Sequence, residues 1–275
     1  MMMNNTYTKS IPIGRWSLIA ITIIWFLLLI LVPVGGLIQK LLASPVAETL
    51  QGLTTKAAVN AFLLTIKVTV ITILINTVMG VLMARVLVKQ NFKGRLLIEG
   101  LIDLPFAISP VVAGFMIVIL FGPYGWLGGW LEGMGVKVVY SVPGIILATI
   151  FVTLPFVAKE VIPVYRQFGQ QSEETAQVMG ASQWQTFWWI TLPSIKWGVI
   201  YGVTLALARS LGEFGAVLVV SGNIIGQTQT ATLYIHQQFT DFDYSGAYAA
   251  SLVIAMVAFT ILIVIQTITN RHREA

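Results

Sequence analysis

The sequence predicts an all-α protein that crosses a membrane six times. Hydrophobic residues make up 57% of the 275 residues and charged residues only 10%, whereas soluble domains carry about 25% charge. The mean hydropathy is +0.86, and several runs of about 20 residues are nearly free of charge, which is enough to cross a hydrocarbon core. Because a backbone in lipid must satisfy its own hydrogen bonds, we expect these runs to be helices.

We place the six spans in a single transmembrane domain that occupies the whole chain, residues 1–275. Basic residues precede the first apolar run, as in a signal peptide. The run is too long for a signal peptide, however, and no clear small-residue cleavage site follows it. We therefore expect it to be a retained span. The predicted spans are residues 16–39, 59–87, 96–121, 142–165, 196–220 and 246–269.

The distribution of lysine and arginine predicts the orientation of these spans. If the N-terminus is cytoplasmic, only Lys40, Lys56 and Lys137 of the 16 basic residues fall outside. We assign Lys67 and Arg209 to the membrane and the other eleven, at or near the ends of spans, to the cytoplasmic side. Such a bias predicts that both termini are cytoplasmic.

Composition excludes several classes of function. The chain has no cysteine, and its two histidines, His236 and His272, are far apart, so we predict no metal site. The sequence shows no nucleophile–base group and no G-x-x-x-x-G-K-[ST] phosphate loop, so we do not predict an enzyme. Basic residues lie at the ends of spans instead of forming a patch, which argues against nucleic-acid binding.

The fifth predicted span contains an ionisable pair at membrane depth. Arg209 and Glu213 are four residues apart and would share a helix face, with Ser210 beside them. Ionisable groups at this depth usually face a bundle interior or a water-filled cavity. The pair is either a structural ion pair or part of a path for an anion, and the residues alone leave both open.

The third predicted span contains two prolines that should interrupt its helix, Pro105 and Pro110. Ser109 followed by Pro110 has the pattern of a helix that restarts within the membrane. Such a restart suits an anion, since free N–H groups point from its first turn. A kinked helix with no ligand explains the same residues. In the second span, Lys67 is expected to reach the membrane surface or to pair with an acid.

A polar loop precedes the last span. Residues 221–232 are uncharged and rich in hydrogen-bonding groups, including Asn223, Thr228 and Thr230. These side chains can donate hydrogen bonds to an oxyanion at a cavity mouth. An ordinary outer turn explains the same composition.

A structured block follows the fourth span. Ser172 is expected to cap a short helix that ends near Met179, and Gly180 stands where a left-handed C-terminal residue is expected. Ser182 and Gln185 have the spacing of a capping box that starts a second helix. Two short helices joined at a glycine are therefore predicted.

We call residues 172–193 the elbow. Trp184, Phe187 and Trp188 are spaced to form one aromatic face on its second helix, and Pro193 is expected to end that helix. A two-turn helix is not stable alone, so this face must be buried. It can return to the membrane surface or dock in a groove of another protein.

At this point the sequence resembles a known family. Glu174-Thr175-Ala176, then Gly180, then Ile190-x-Leu192-Pro193 are similar to the E-A-A-x3-G-x9-I-x-L-P loop of ABC importer permeases. Thr175 departs from the pattern, where the family has alanine. The resemblance covers nearly the whole chain after about Trp16. Within the family, the sequence looks most like the sulfate/thiosulfate permeases of the W type. Its further stretches are "DLPFAISPVVAG" (103–114), "IFVTLPFVAKEVIPV" (150–164), "LPSIKWGVIYGV" (192–203) and "LGEFGAVLVVSGNIIGQT" (211–228).

The resemblance implies a type I ABC importer permease fold, in which the elbow carries the coupling helix that sits in a cleft of an ATPase subunit. It implies a T-type permease as partner, two ATP-binding subunits that hold ATP and Mg, and a periplasmic sulfate-binding protein. No cofactor is expected in this chain, and the bacterial inner membrane is the expected location. The coupling residues implied are Glu174, Gly180, Ala181, Ser182, Trp184, Gln185, Phe187 and Trp188.

The expected function is ATP-driven import of sulfate or thiosulfate, with Arg209, Ser210, Glu213, Asn223, Thr228 and Thr230 as candidates for the anion path. A permease for molybdate or another tetrahedral oxyanion is the alternative. An ion-coupled secondary carrier is a weaker one, because it needs acids within the membrane in a geometry that couples ions, and Glu213 with Asp103 offers little of this. In the expected mechanism, movement of the elbow tilts the fourth and fifth spans.

Overall fold

The computed structural model describes residues 13–169 and 171–271, and the side chains of residues 16–169 and 171–267. Within these ranges the chain is helical with no strand, as predicted. The helices are α1 Ile13–Ala43, α2 Val46–Thr54, α3 Lys56–Lys89, α4 Arg95–Ala107, α5 Pro110–Phe121, α6 Gly128–Gly133, α7 Val142–Phe168, α8 Gln171–Val178, α9 Gln183–Thr186, α10 Leu192–Leu211, α11 Gly215–Ser221, α12 Ala231–Thr240 and α13 Tyr244–Arg271.

Five helical segments of the described chain are long and apolar enough to cross a membrane, and a bent pair makes up to six. Four of the predicted spans fall inside single helices: α1, α3, α7 and α13. The other two are interrupted. The third consists of α4 and α5, which meet at a bend of 113°. The five long segments are Trp16–Ala43, Lys56–Lys89, Val142–Phe168, Gln183–Leu211 and Tyr244–Thr267.

The bend in the third span lies at Ile108–Ser109, between α4 and α5. Pro110 stands in the first turn of α5, where its missing N–H costs nothing. Pro105 was expected to disrupt the helix as well, and this was wrong, since α4 continues through it to Ala107. Ser109 occupies the N-cap position, but its side chain makes no capping hydrogen bond.

The fifth span is also not continuous, contrary to the prediction for residues 196–220. The helix α10 ends at Leu211, and α11 begins at Gly215. The carboxylate of Glu213 explains the restart, because its Oε1 accepts a hydrogen bond from the Ala216 N–H at 3.0 Å. An acidic side chain at this position caps the first turn of α11.

The core is built around α7, which packs between α3 and α10. Gly80 of α3 and Gly202 of α10 both lie against Val157 of α7. A Cβ at Gly80 would stand 2.8 Å from the Val157 Cβ, and one at Gly202 would stand 2.7 Å from its Cα. These glycines therefore set how closely the three helices approach, as small residues do in membrane bundles.

Two ion pairs fasten α4 to α7. Asp103 lies 2.7 Å from the Lys159 ammonium, and Glu99 lies 2.8 Å from the Arg166 guanidinium. The later residue on α4 pairs with the earlier one on α7, so the two helices run antiparallel. Asp103 is therefore already neutralised by a lysine.

Candidate functional site

The elbow has the local geometry that its sequence predicts. Gly180 has φ +95°, the left-handed conformation expected after a helix. The Ser182 Oγ accepts from the Gln185 N–H at 3.3 Å, and the Gln185 Oε1 accepts from the Ser182 N–H at 2.8 Å. This reciprocal capping box fixes where α9 starts. One boundary differs: α8 is described from Gln171, so Ser172 lies inside the helix instead of capping it.

The aromatic face forms as a cluster of three rings. Trp184 and Trp188 lie 5.7 Å apart between ring centroids, and each packs on Phe187. Phe187 also carries the Arg85 guanidinium of α3 at 5.1 Å from its ring, so it is held against its own chain. Trp184 and Trp188 remain 69% and 48% exposed. Both indole rings of this cluster are therefore left for another surface, and the adjacent Trp189 is 81% exposed as well.

The elbow continues into α10 without a stop. Pro193 was expected to end the second helix, and this was wrong: Gln183–Leu211 forms one helical segment. A π-helical turn over Phe187–Thr191 precedes Pro193, and the Leu192 N–H bonds back to the Phe187 carbonyl. Because this turn shifts the hydrogen-bond ladder by one residue, the helix accommodates the missing N–H of proline. A displacement of α9 is therefore passed to α10 through helix alone.

Glu173 is the most buried acid of the elbow, and the sequence did not single it out. It is 1% exposed and forms an ion pair with Lys89 at the end of α3. Its Oε1 accepts hydrogen bonds from the Tyr165 hydroxyl of α7 at 2.9 Å and from the Thr191 hydroxyl at 2.5 Å. One carboxylate thus joins α8 to α3, to α7 and to the turn before α10.

The electrostatics of Glu173 favour its charged form. Burial by itself raises the pKa of this carboxyl, but the hydrogen bonds from Lys89 and from the two hydroxyls outweigh burial. The pKa is therefore held below its ordinary value. Glu174, the residue that matches the E-A-A pattern, is exposed and leaves its carboxylate on the elbow surface.

The predicted ion pair within the membrane is present. Arg209 lies 2.7 Å from Glu213, whose side chain is 1% exposed. Ser210 donates a hydrogen bond to the Thr69 hydroxyl of α3 at 3.2 Å. Arg209 and Glu213 together carry no net charge. The two carboxylate oxygens of Glu213 hold the break between α10 and α11, since Oε2 pairs with Arg209 of α10 and Oε1 accepts from Ala216 of α11.

The loop before α12 is folded by its own polar groups. The Thr228 hydroxyl accepts from the Ile224 N–H at 3.0 Å, and the Asn223 carbonyl oxygen accepts from Gln229 at 3.1 Å. Thr230 is 4% exposed and shares a hydrogen bond with Thr232. In this conformation the three candidate residues Asn223, Thr228 and Thr230 hold the loop together, and their role toward an anion stays a prediction.

A buried polar row on α3 connects these regions. Thr65, Thr69, Thr72 and Asn76 are all buried and fall on one helix face. The Asn76 amide donates to the Thr153 hydroxyl of α7 at 2.8 Å. The spacing of these four residues is visible in the sequence and was the signal that could have revealed the row.

Comparison with known proteins identifies the family of this chain. A family model described as the binding-protein-dependent transport system inner membrane component matches residues 76–274. The chain belongs to this family. The matched range contains both the elbow and the Arg209–Glu213 pair, so both candidate sites of this transport component lie in the part that defines the family.

Relatives of this transport component include two permeases named for sulfate. The "Sulfate transport system permease protein CysW" of Synechocystis sp. is 42% identical over 263 residues, which cover 95% of each chain. The corresponding CysT protein of Escherichia coli (strain K12) is 36% identical over 250 residues, covering 91% of this chain and 90% of the relative.

The fold is that of an ABC importer permease. A solved bacterial alginate ABC transporter, in complex with a pentasaccharide-bound periplasmic protein, contains a chain that superposes with a TM-score of 0.78. The two chains are 22% identical, and the match covers 94% of each. Because it covers nearly the whole chain, the type I importer fold extends beyond the range of the family model.

Proposed function

We propose that this protein is the W-type permease subunit of an ATP-driven importer for sulfate. The observation that carries the proposal is the 42% identity to a CysW protein along 95% of both chains. Identity to the CysT protein is lower, at 36%, which supports the W type over the T type. Thiosulfate, molybdate and other tetrahedral oxyanions remain the alternative substrates that the experiment separates.

The proposed assembly contains four kinds of subunit. This chain pairs with a T-type permease, two ATP-binding subunits hold ATP and Mg, and a periplasmic sulfate-binding protein delivers the anion. Support comes from the relatives named CysW and CysT and from the bound periplasmic protein in the alginate importer. The excess of lysine and arginine on one side supports an orientation in which the elbow and both termini face the cytoplasm.

The exposed part of the elbow is the proposed ATPase contact. Trp184 and Trp188 present apolar rings to solvent, and such rings suit burial in a partner's groove. Gly180 and the capping box of Ser182 and Gln185 fix the direction in which these rings point. Ala181 lies between them in the chain, and Glu174 offers a charge on the same elbow.

Coupling follows from the ties that hold the elbow. When ATP binding closes the ATPase dimer, the elbow is displaced, and the displacement enters α10 directly because the helix is continuous. Glu173 carries the same displacement to α3 and α7. The motion expected for spans four and five therefore includes the second span as well.

The test is uptake of radiolabelled sulfate by vesicles that contain the complete complex. We expect uptake that requires both ATP and the binding protein, with sulfate competing better than molybdate. Vesicles with this chain alone and an imposed ion gradient are the control. Uptake by that control would contradict the proposal and favour a secondary carrier.

A further inference from the structure

Lys67 is a cation within the second span, and no acid whose side chain the structure describes forms an ion pair with it. It is exposed on α3, about 16 Å along the helix axis from Lys56, the first residue of α3. Among residues 16–169 and 171–267, the acidic side chains form five ion pairs, and none of them includes Lys67. Arg209, the other basic residue assigned to the membrane interior, is paired with Glu213.

The neighbours of Lys67 fix its depth. Thr65 accepts a hydrogen bond from the Ala231 N–H at 2.8 Å, and Thr69 accepts one from Ser210. Lys67 therefore lies in the same layer as the start of α12 and the break after α10. Two residues along a helix correspond to a rotation of about 200°, so Lys67 faces away from these two threonines.

The face of α3 that carries Lys67 leads to the polar loop before α12. Asn60 lies two helical turns earlier on the same face, and its amide nitrogen is 3.6 Å from the position of a Cβ on Gly226. Helical side chains tilt toward the N-terminus, so the Lys67 side chain extends toward Asn60 and this loop. Residues 221–232 contain no acid, so the loop does not neutralise the ammonium.

An uncompensated ammonium at this depth is costly against lipid and is normally turned to a water-filled path. Lys67, Arg209 and Glu213 together leave one positive charge in this layer. A tetrahedral oxyanion with two negative charges would be attracted there. A single lysine, which acts as a point charge with three donors, holds an anion weakly enough to let it leave again, as transport requires.

We propose that Lys67 is an anion-binding residue at the outer mouth of the translocation path. It receives the tetrahedral oxyanion that the binding protein releases. This inference rests on the proposed function, because it takes the transported ligand to be an oxyanion such as sulfate.

The experiment compares the complete complex carrying Lys67→Gln, Lys67→Arg or Lys67→Glu with the wild-type complex in the vesicle assay. Lys56→Gln is the matched control, since it removes a lysine from the same helix at its solvent end. We expect Lys67→Gln to lower sulfate uptake about tenfold, the effect of losing one charge-assisted hydrogen bond. Lys67→Arg should retain most uptake, Lys67→Glu should be the slowest, and Lys56→Gln should match wild type.

Two further readouts separate anion binding from a structural role. All variants should co-purify with the second permease and the ATPase, and their binding-protein-stimulated ATP hydrolysis should continue while uptake per ATP falls. Unchanged uptake by Lys67→Gln overturns the inference. So does loss of co-purification in Lys67→Gln with retention in Lys67→Arg, because Lys67 would then pair with an acid of the partner permease. If the wild-type complex moves molybdate but not sulfate, the proposed substrate is wrong, and the same variants are compared with molybdate.

Discussion

Lys89, the last residue of α3, forms an ion pair with Glu173, in the first turn of α8. The two residues are far apart in sequence, yet their contact anchors the elbow to a helix that reaches through the bundle. The same α3 carries the polar row that meets α7, α10 and α12 in the membrane. The ion pair therefore links the two candidate sites by one continuous helix.

Glu173→Gln should loosen the elbow and uncouple ATP hydrolysis from transport. The substitution removes the charge while leaving Lys89 without its partner, which should cost roughly 1–3 kcal/mol in local stability. We expect uptake per ATP hydrolysed to fall while the complex still assembles. Glu174→Gln is the matched control, because it changes an exposed neighbour. Equal uptake per ATP hydrolysed in wild type and Glu173→Gln would show that the Lys89–Glu173 pair does not contribute to coupling.

Acidification should release the elbow through Glu173. The pKa of its carboxyl is lower in the folded protein than its ordinary value of 4.5. The stabilisation is therefore fully present above about pH 4.5 and is lost as the pH falls through the folded pKa. Hydrogen exchange of the elbow amides, corrected for the intrinsic rate, should show less protection in that acidic range. Glu173→Gln should abolish this dependence, whereas persistence of the full pH effect in Glu173→Gln would assign it to other groups.

The sequence predicted what depends on local chemistry. The left-handed Gly180, the Ser182–Gln185 capping box and the clustering of Trp184 with Trp188 follow from residue type and spacing, and the structure confirms them. The prediction that the second helix ends at Pro193 was wrong, because it relied on the local tendency of proline to break a helix. Here a π-helical turn, which sequence spacing does not reveal, absorbs the missing N–H.

What the sequence left open depends on contacts between distant segments. Glu173 looked like one of two acids in a helix's first turn, and only the packing of α3 and α7 around it shows its burial. Similarly, the break at Gly212 required knowing that Glu213 caps α11 instead of continuing α10. The depth of Lys67 also became clear only from Thr65 and Thr69.

The indoles of the aromatic face, Trp184 and Trp188, should carry the contact with the ATPase. Trp184→Glu should lower binding-protein-stimulated ATP hydrolysis and weaken co-purification of the ATPase, because a carboxylate would enter an apolar contact. An effect of about 2 kcal/mol or more is expected of a central aromatic contact. Trp126, which is 90% exposed in the segment between α5 and α6, provides the control Trp126→Glu. Full, substrate-stimulated ATP hydrolysis in Trp184→Glu would contradict the assignment.

Gly202 should tolerate no larger side chain. A Cβ there would stand 2.7 Å from the Val157 Cα, so Gly202→Val should push α10 from α7 and cost about 1–3 kcal/mol. Gly100→Val is the control, since nothing lies within 4 Å of a Cβ at Gly100. Thermal denaturation of the purified complex should show a lower midpoint for Gly202→Val only. Equal midpoints would mean that α7 and α10 are not in close contact in the membrane.

Arg209 and Glu213 can be tested for whether their pairing is structural or serves the anion. Arg209→Ala leaves the buried carboxylate of Glu213 without its partner, so we expect poor assembly and low uptake. Combining Arg209→Ala with Glu213→Gln removes both charges and should restore assembly, since the amide oxygen of the glutamine can still accept from the Ala216 N–H. Sulfate uptake by this double variant then decides the role. Restored uptake marks a structural pair, whereas an assembled complex that hydrolyses ATP but moves no sulfate places Arg209 on the anion path. Unaltered uptake by Arg209→Ala at normal expression would exclude both roles.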